Sequence, residues 1–232
     1  MMGVRAIIFD LDGTLADTEP FHFEAFNVVL KPHEIEVSHA DYFGRLVGYD
    51  DYDCFLRLLR EHRKPASDAL INELIAQKTS VYQAMIAEQQ LLFPGAAEFV
   101  RHCAHRFPLA LVTGTLRAEA EMILRKAEIR ELFVDIVTAE DVKQGKPAPD
   151  GFNAALGRLG DILRPYPPLV AAECLAVEDT ATGIEAARRA GMRVLAVAQT
   201  VSATELAAAD FVRQSLAETN LDELLQVLAI PG

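Results

Sequence analysis

The chain has 232 residues, of which 51% are hydrophobic, so it can bury a sizeable core and is not a disordered protein. Its 22 basic and 34 acidic residues give a net charge of −12, which argues against binding to nucleic acid or to an anionic membrane surface. No apolar run is long enough to span a bilayer. An anionic substrate would therefore have to be held by a few well-placed cations and a metal ion.

Three cysteines, Cys54, Cys103 and Cys174, show no metal-ligand spacing and are odd in number. Because the chain also begins without a charged and apolar leader, we expect a protein of the reducing cytoplasm. Each cysteine is predicted to be a small buried hydrophobic residue.

The first predicted strand leads directly into two acidic residues. The apolar run from Val4 to Phe9 is typical of a buried strand in a parallel sheet, and Asp10 and Asp12 follow it before Gly13. Carboxylates at the carboxyl end of such a strand suit a hard cation such as Mg2+. The pair could also divide the chemistry, with Asp10 as nucleophile and Asp12 as proton donor and acceptor. Turn or capping roles are the alternative that this motif leaves open.

The next part of the chain predicts helices only. Their apolar stripes have helical spacing, and Thr18 and Ser67 are predicted N-caps. A helical block between the first strand and the rest of an α/β sheet indicates an inserted domain, so we expect a core formed by residues 1–16 and 93–232 and a helical cap formed by residues 17–92. The predicted cap helices are Phe21–Leu30, Asp50–Arg63 and Ser67–Glu88.

Beyond Gly95, strands alternate with helices, which predicts an α/β fold with a doubly wound parallel sheet. The predicted strands are Leu109–Thr113, Val134–Thr138, Cys174–Glu178, Arg193–Val197 and Phe211–Val212. The predicted helices are Ala96–His105, Arg117–Ala127, Gly151–Leu159, Gly183–Ala190 and Leu221–Leu228.

Polar residues collect where these strands end. Each has a simple alternative role as a buried hydroxyl, a loop charge or a helix cap, but their joint placement predicts one site at one edge of the sheet. The residues are Asp10 and Asp12 after the first strand, Thr113, Gly114 and Thr115 after the second, Lys146 in a proline-rich loop before a helix, and Glu178 and Asp179 after a later strand.

These residues suit phosphoryl transfer, in which a carboxylate attacks an anionic phosphate and the repulsion must be cancelled. Asp10, the main-chain carbonyl of Asp12 and Asp179 can hold Mg2+, with Glu178 close behind or itself a ligand. Lys146 can neutralise both the nucleophile and the phosphoryl oxygens.

The remaining predicted roles concern the substrate and the proton. The hydroxyls of Thr113 and Thr115 and the N–H of Gly114 can bind phosphoryl oxygens at the start of the following helix. Asp12 would protonate the leaving oxygen and later activate water, and the first of these roles needs a raised pKa.

Four motifs carry a resemblance to a known family. Asp10-Leu11-Asp12-Gly13-Thr14, Thr113, Gly145-Lys146-Pro147 and Glu178-Asp179 resemble the motifs of the haloacid dehalogenase-like hydrolase superfamily. The helical block resembles the small cap of its β-phosphoglucomutases and phosphoglycolate phosphatases. The resemblance implies Mg2+, an aspartyl-phosphate at Asp10, a cap that closes over the site, and a monomer.

Within this family, Thr18 and His22 resemble hinge positions of the β-phosphoglucomutase-like branch, and Lys78 resembles a cap lysine that reaches the active site. From the residues alone, His22 could equally pack at the hinge or helix surface, and Lys78 could be a solvated charge. If the resemblance holds, His22 and Lys78 bind substrate or help to position the catalytic acid.

One position departs from the mutase pattern. Mutases of this branch carry an arginine in the cap loop that grips a distal phosphate, whereas Asp51 stands there in this chain. Arg45 or Arg117 could compensate, but neither is in the expected place. We therefore predict a phosphatase of a small phosphorylated metabolite, of the sugar phosphate or phosphoglycolate type, with a sugar-phosphate mutase as the alternative. A metal-free dehalogenase fits less well, because Asp12 is present. A noncatalytic protein also fits less well, because all the inferred catalytic residues are present.

Overall fold

The computed structural model describes residues 3–164 and 167–228. At its centre lies a parallel sheet with the strand order β3-β2-β1-β4-β5-β6. The first strand therefore lies in the middle, and the chain winds outward from it in both directions, which confirms the predicted doubly wound α/β fold. The strands are β1 Ala6–Phe9, β2 Leu109–Val112, β3 Phe133–Val137, β4 Cys174–Glu178, β5 Arg193–Val197 and β6 Phe211–Arg213.

Helices cover both faces of this sheet, which explains why its strands are apolar throughout. Alternate residues of β1 enter two different cores: Ile7 and Phe9 pack on one face, and Ala6 and Ile8 pack on the other. All four are fully buried. The helices that follow the strands and complete the core are α5 Ala96–Ala104, α6 Arg117–Lys126, α7 Asp150–Leu163, α8 Ala181–Arg189 and α9 Leu221–Leu228.

The segment between β1 and α5 forms a helical layer above the carboxyl edge of the sheet. It surrounds a hydrophobic cluster of its own, which includes Phe26, Phe55, Leu59 and Leu74. A separate cluster is what an inserted domain requires, although the predicted boundaries at residues 17 and 92 stay a prediction. The helices are α1 Glu19–Leu30, α2 His39–Asp41, α3 Asp51–Glu61 and α4 Asp68–Ile86, and a π-helical turn spans Tyr42–Leu46.

Helix starts in this layer show where local patterns succeed and fail. Ser67 caps α4 as predicted, because its Oγ accepts a hydrogen bond from the Leu70 N–H. Thr18 precedes α1, but its prediction as a side-chain cap is wrong. Its backbone is already helical, with φ −104° and ψ −20°, and its hydroxyl donates to Oδ1 of Asp12 at 2.7 Å instead. The Thr18 side chain thus bonds the loop after β1 and not the start of its own helix.

The element bounds otherwise agree with the prediction to within a few residues, and the largest difference is α7, which continues to Leu163. All three cysteines are buried and free, as predicted. None of the helices in the described ranges combines the length and apolar character needed to cross a membrane.

Candidate active site

The register of the three central strands brings the predicted polar segments together. Phe9 of β1 lies beside Leu111 of β2 and Val177 of β4. The N–H of Asp10 continues this ladder by donating to the Val177 carbonyl at 2.9 Å. Because all three strands end at the same edge, the residues that follow them converge there.

Three of the converging residues are carboxylates that could hold a metal ion. Asp10, Glu178 and Asp179 each offer an oxygen, these oxygens lie within 4.8 Å of one another, and all three side chains are buried. Burial raises the pKa of Asp179 well above its ordinary value, and the charges of Asp10 and Glu178 raise it further. A hard divalent cation would relieve this crowding of negative charge. Thr14, which belongs to the first motif but was given no role there, donates to Oδ1 of Asp179 at 2.8 Å.

Lys146 is the cation of this cluster. Its ammonium contacts Asp10 and Glu178, and only 10% of its side chain is exposed. Burial by itself would lower the pKa of Lys146, but the two carboxylates raise it above its ordinary value, so the lysine stays charged. Burial raises the pKa of Asp10, and Lys146 opposes part of this rise. The predicted neutralisation of Asp10 by Lys146 is therefore present in the geometry.

Two glycines allow the backbone to approach these carboxylates closely. Gly13 has a φ of +77°, and a Cβ there would lie 2.0 Å from Oδ2 of Asp179. A Cβ on Gly183 would lie 2.0 Å from Oε2 of Glu178. The loop after β1 is held by Gln199, another residue that sequence reasoning missed, which donates to the carbonyls of Gly13 and Thr14 at 3.1 Å each.

Asp12 faces a different set of groups. Its Oδ1 accepts from Thr18 and lies 3.4 Å from Nε2 of His22, whereas its Oδ2 accepts from the hydroxyls of Thr113 at 2.9 Å and Thr115 at 2.8 Å. Burial would raise the pKa of Asp12, but the hydrogen bonds from His22, Thr18 and Thr115 bring it below its ordinary value. The raised pKa expected for a proton donor is therefore not found in this arrangement.

Thr113 and Thr115, which follow β2, thus already donate hydrogen bonds to Asp12. Thr113 donates to Asp12 and accepts from the N–H of Thr115 at 3.0 Å. Gly114, between them, lines the cavity described below. A phosphoryl group that used these hydroxyls, as predicted, would have to take them from Asp12.

The cap contributes a chain of polar contacts that ends at Asp12. Lys78, only 2% exposed, donates to Nδ1 of His22 at 2.9 Å and to Oδ1 of Asp51 at 2.6 Å. Because Nδ1 accepts from Lys78, Nε2 carries the proton that faces Asp12. His22 is buried and stacks on Tyr82 with 4.1 Å between the ring centroids. The alternatives of a solvated Lys78 and a surface His22 are therefore wrong.

A cavity of about 50 Å³ lies between the cap and the core beside Asp10. Sequence reasoning missed two of the residues that line it, Glu19 and Tyr42, whose hydroxyl donates to Oε2 of Glu19 at 2.6 Å. They meet only because the π-helical turn packs on α1, and no short motif signals that contact. Burial raises the pKa of Glu19. The residues that line the cavity include Asp10, Asp12, Gly114, Lys146 and Asp179 from the core, and Glu19, His22, Phe26, Tyr42, Tyr49 and Asp51 from the cap.

The two arginines considered as replacements for the missing mutase arginine lie elsewhere. Arg45 pairs with Glu61 at 3.1 Å, and its side chain is half exposed. Arg117 pairs with Asp141 at 2.6 Å. Neither lines the cavity, so the departure at Asp51 is not compensated by them.

Known proteins resemble this chain over most of its length. A model of the haloacid dehalogenase-like hydrolase family matches residues 4–191. Protein CbbY of Rhodobacter capsulatus is 36% identical over 209 residues, which cover 84% of this chain and 85% of that protein. Fructose-1-phosphate phosphatase YqaB of Escherichia coli is 31% identical over 186 residues, covering 80% and 92% respectively.

A solved structure agrees with these similarities. Mutant CbbY of Rhodobacter sphaeroides, crystallised in complex with xylulose-(1,5)bisphosphate, superposes with a TM-score of 0.80 and 28% identity, covering 93% of this chain and 96% of that one. The resemblance inferred from the four motifs is confirmed. By its sequence, its sheet and its matches, the chain belongs to the haloacid dehalogenase-like hydrolase family.

Proposed function

We propose that the protein is a Mg2+-dependent phosphatase that hydrolyses a small phosphorylated metabolite, of the sugar phosphate or phosphoglycolate type, through an aspartyl-phosphate on Asp10. The observation that carries this proposal is the buried cluster of Asp10, Glu178 and Asp179 beside the ammonium of Lys146. The similarity to a fructose-1-phosphate phosphatase supports the substrate class.

The donor set fits the proposed metal. Asp10, Glu178 and Asp179 are hard oxygen ligands, and with the main-chain carbonyl of Asp12 they would hold Mg2+. Bound there, the ion would withdraw charge from the phosphoryl oxygens. The side chain of Asp12 is turned toward Thr18 and Thr113 and is left for proton transfer.

The protein's own residues would divide the reaction in two. In the first half, an oxygen of Asp10 bonds to phosphorus while the bond from phosphorus to the ester oxygen breaks, and Asp12 gives that oxygen its proton. In the second, Asp12 takes a proton from water, which attacks the phosphoryl group and frees Asp10 and inorganic phosphate. Lys146 offsets the charge on the nucleophile in both halves.

Substrate would also change the surroundings of Asp12. Phosphoryl oxygens that accept from Thr113, Thr115 and the Gly114 N–H would remove two hydrogen bonds to Asp12, including the one from Thr115 that helps to keep its pKa low. The pKa would then rise toward the value that a proton donor needs.

The helical layer would act as a cap that closes over the cavity. Residues 17–92 are proposed to move as a unit over the core of residues 1–16 and 93–232. Closure would bring His22, which Lys78 already contacts within the cap, against Asp12 of the core. In this way the cap would position the proton donor only when the site is shut.

A sugar-phosphate mutase is the second candidate. It is favoured by the bonds that Thr18 and His22 make to Asp12, and by the bond from Lys78 to His22. Asp51 argues against it, because a mutase must hold a bisphosphate at both ends. We also propose a monomer in the cytoplasm, where three buried free thiols would stay reduced.

The test is an assay of the purified protein with Mg2+ against sugar phosphates, phosphoglycolate and nucleotides, following inorganic phosphate. β-Glucose 1-phosphate is included with and without a sugar bisphosphate, following glucose 6-phosphate. We expect Mg2+-dependent phosphate release that Asp10→Asn abolishes and that Asp17→Asn, the same change at an exposed position, leaves intact. Bisphosphate-dependent isomerisation with little release would favour the mutase instead.

A further inference from the structure

The cavity beside Asp10 has two halves, one lined by residues of the core and one lined by residues of the cap, and their lining differs in chemistry. If Asp10 holds the phosphoryl group, the leaving group must occupy the half lined by the cap. Its walls include the rings of Phe26, Tyr42 and Tyr49 and the carboxyl groups of Glu19 and Asp51. The whole cavity, core and cap halves together, has a volume of about 50 Å³, which corresponds to only a few water molecules, so the cap half suits a short leaving group.

The charges that line this cavity are mainly negative. Among its lining residues, Lys146 is the one side chain with a permanent positive charge, and that charge is already shared by Asp10 and Glu178. A second anion in the cap half would face Glu19 and Asp51 with no free counter-charge. Like charges that share a small, partly dry cavity repel each other strongly.

Lys78 is close to the cap half of the cavity but does not offset the negative charge of its lining. Its ammonium donates to Asp51 and His22 and lies 4.6 Å from the ring centroid of Phe26. With 2% of its surface exposed, the residue is not among those that line the cavity. Two of its three protons are therefore committed to His22 and Asp51, and because the residue is buried behind the lining, its ammonium does not face a ligand in the cavity.

Asp51, in contrast, is available to a ligand. Its side chain is 29% exposed and lines the cavity, and within the described residues its carboxylate has Lys78 as its one side-chain donor, through Oδ1. A carboxylate accepts several hydrogen bonds, so Asp51 can bind a further donor without losing the lysine. Arg57 stacks over Tyr49 at 3.8 Å from the ring centroid and does not line the cavity.

We propose that the cap half is a subsite for a short leaving group that carries hydrogen-bond donors, hydroxyl or ammonium, and no anion, and that Asp51 is the residue that sets this preference. The inference rests on the proposed phosphatase activity and narrows its substrate class. Asp51 would accept a hydrogen bond from the leaving group and repel a carboxylate or a second phosphate.

Three substrates that share a three-carbon chain test this directly. Glycerol 3-phosphate, 3-amino-2-hydroxypropyl phosphate and 3-phosphoglycerate differ at the far end, which is a hydroxyl, an ammonium or a carboxylate. We expect kcat/KM with Mg2+ to be at least about 30-fold higher for the first two than for 3-phosphoglycerate. Equal values, or a preference for the carboxylate, would overturn the inference while leaving the phosphatase in place.

The proposed function fails separately. If neither these three substrates and p-nitrophenyl phosphate nor the sugar phosphates, phosphoglycolate and nucleotides of the first assay release phosphate, the phosphatase is wrong, and the inference falls with it. Turnover of p-nitrophenyl phosphate without discrimination among the three overturns the inference alone.

Variants assign the preference to one residue. Asp51→Asn should reduce the discrimination to within about threefold, because the repelling charge is gone, whereas Asp51→Glu should retain it. Asp53→Asn is the matched control on the same helix; Asp53 does not line the cavity, so we expect wild-type discrimination. Thermal unfolding is measured in parallel because Asp51→Asn leaves the buried Lys78 without its anion. If Asp51→Asn is folded and discriminates like the wild type, Asp51 is not the determinant.

Discussion

The two walls of the cavity are held in place by different means. On the core wall, Asp10 stands at the end of β1 beside the buried Glu178 of β4, and both lie within one residue of backbone hydrogen bonds that fix the register. On the cap wall, Asp51 and His22 come from two different helices and are held by Lys78 of a third, through side-chain contacts between residues that are far apart in the chain. The sheet therefore fixes the groups proposed to do the chemistry, and helix packing sets the groups proposed to meet the leaving group. A change on the core wall should affect every substrate, while a change on the cap wall should affect the choice between them.

The largest effect is expected on the core wall. Lys146→Met should lower kcat by about 10³-fold or more, because Asp10 and Glu178 lose the cation between them. It should also lower the free energy of unfolding without Mg2+ by about 3 kcal/mol, since it leaves two buried carboxylates unpaired. Phosphate release and urea unfolding measure the two effects.

Lys143→Met is the control, because Lys143 is an exposed lysine of the same loop and should behave as wild type. A Lys146→Met protein that keeps wild-type kcat would show that the core wall does not depend on this cation.

A smaller effect is expected on the cap wall. Lys78→Met keeps the length of the side chain but removes the bonds to His22 and Asp51. We expect kcat to fall about 10- to 100-fold, more than KM rises, since Lys78 acts through His22 on Asp12 and not on the phosphoryl group. Lys31→Met, at an exposed cap lysine, should leave both constants unchanged. A loss as large as that of Lys146→Met would contradict the division between the two walls.

The contrast between the core wall and the cap wall also explains which parts of the site could be predicted from the sequence. Apolar runs that end in Asp10, Thr113 and Glu178 predict buried strands, and parallel strands must end at one edge, so the core wall follows from local patterns. The side-chain cap predicted at Thr18 is absent, because a capping residue and a hydrogen-bond donor to Asp12 have the same local sequence. The resemblance of Thr18 to a hinge position stays a prediction. The contact of Glu19 with Tyr42 could not be predicted, since it joins residues across a π-helical turn that no periodicity signals.

Glu119 is a buried core residue of α6, 4% exposed, whose charge interacts with the ammonium of Lys78 in the cap. Burial raises its pKa to about 7, which Lys78 only partly opposes. Since the folded pKa lies above the unfolded value, the protein loses stability as the pH rises from about 4.5 to 7, and the full cost is present above that window. Glu119→Gln should therefore raise the free energy of unfolding by about 2 kcal/mol at pH 8 and by almost nothing at pH 4.5.

Denaturant unfolding at the two pH values measures this difference. Glu98→Gln, at an exposed glutamate of α5, should show no pH-dependent gain. A gain for Glu119→Gln that is equal at both pH values would mean that the ionisation of Glu119 is not its cause.

The smallest effect concerns the cap helix itself, away from the cavity. Ser67→Ala removes the bond that satisfies the Leu70 N–H at the start of α4, the helix that carries Lys78, and should cost about 1 kcal/mol of stability. Ser80→Ala is the matched change inside the same helix, where Ser80 bonds the Ala76 carbonyl at an exposed position, and it should cost nothing or stabilise slightly. Because neither serine touches the cavity, kcat/KM at 25 °C should stay at the wild-type value in both. A fall in kcat/KM for Ser67→Ala alone would show that the cap wall depends on the stability of its helix as well as on the side chains it presents.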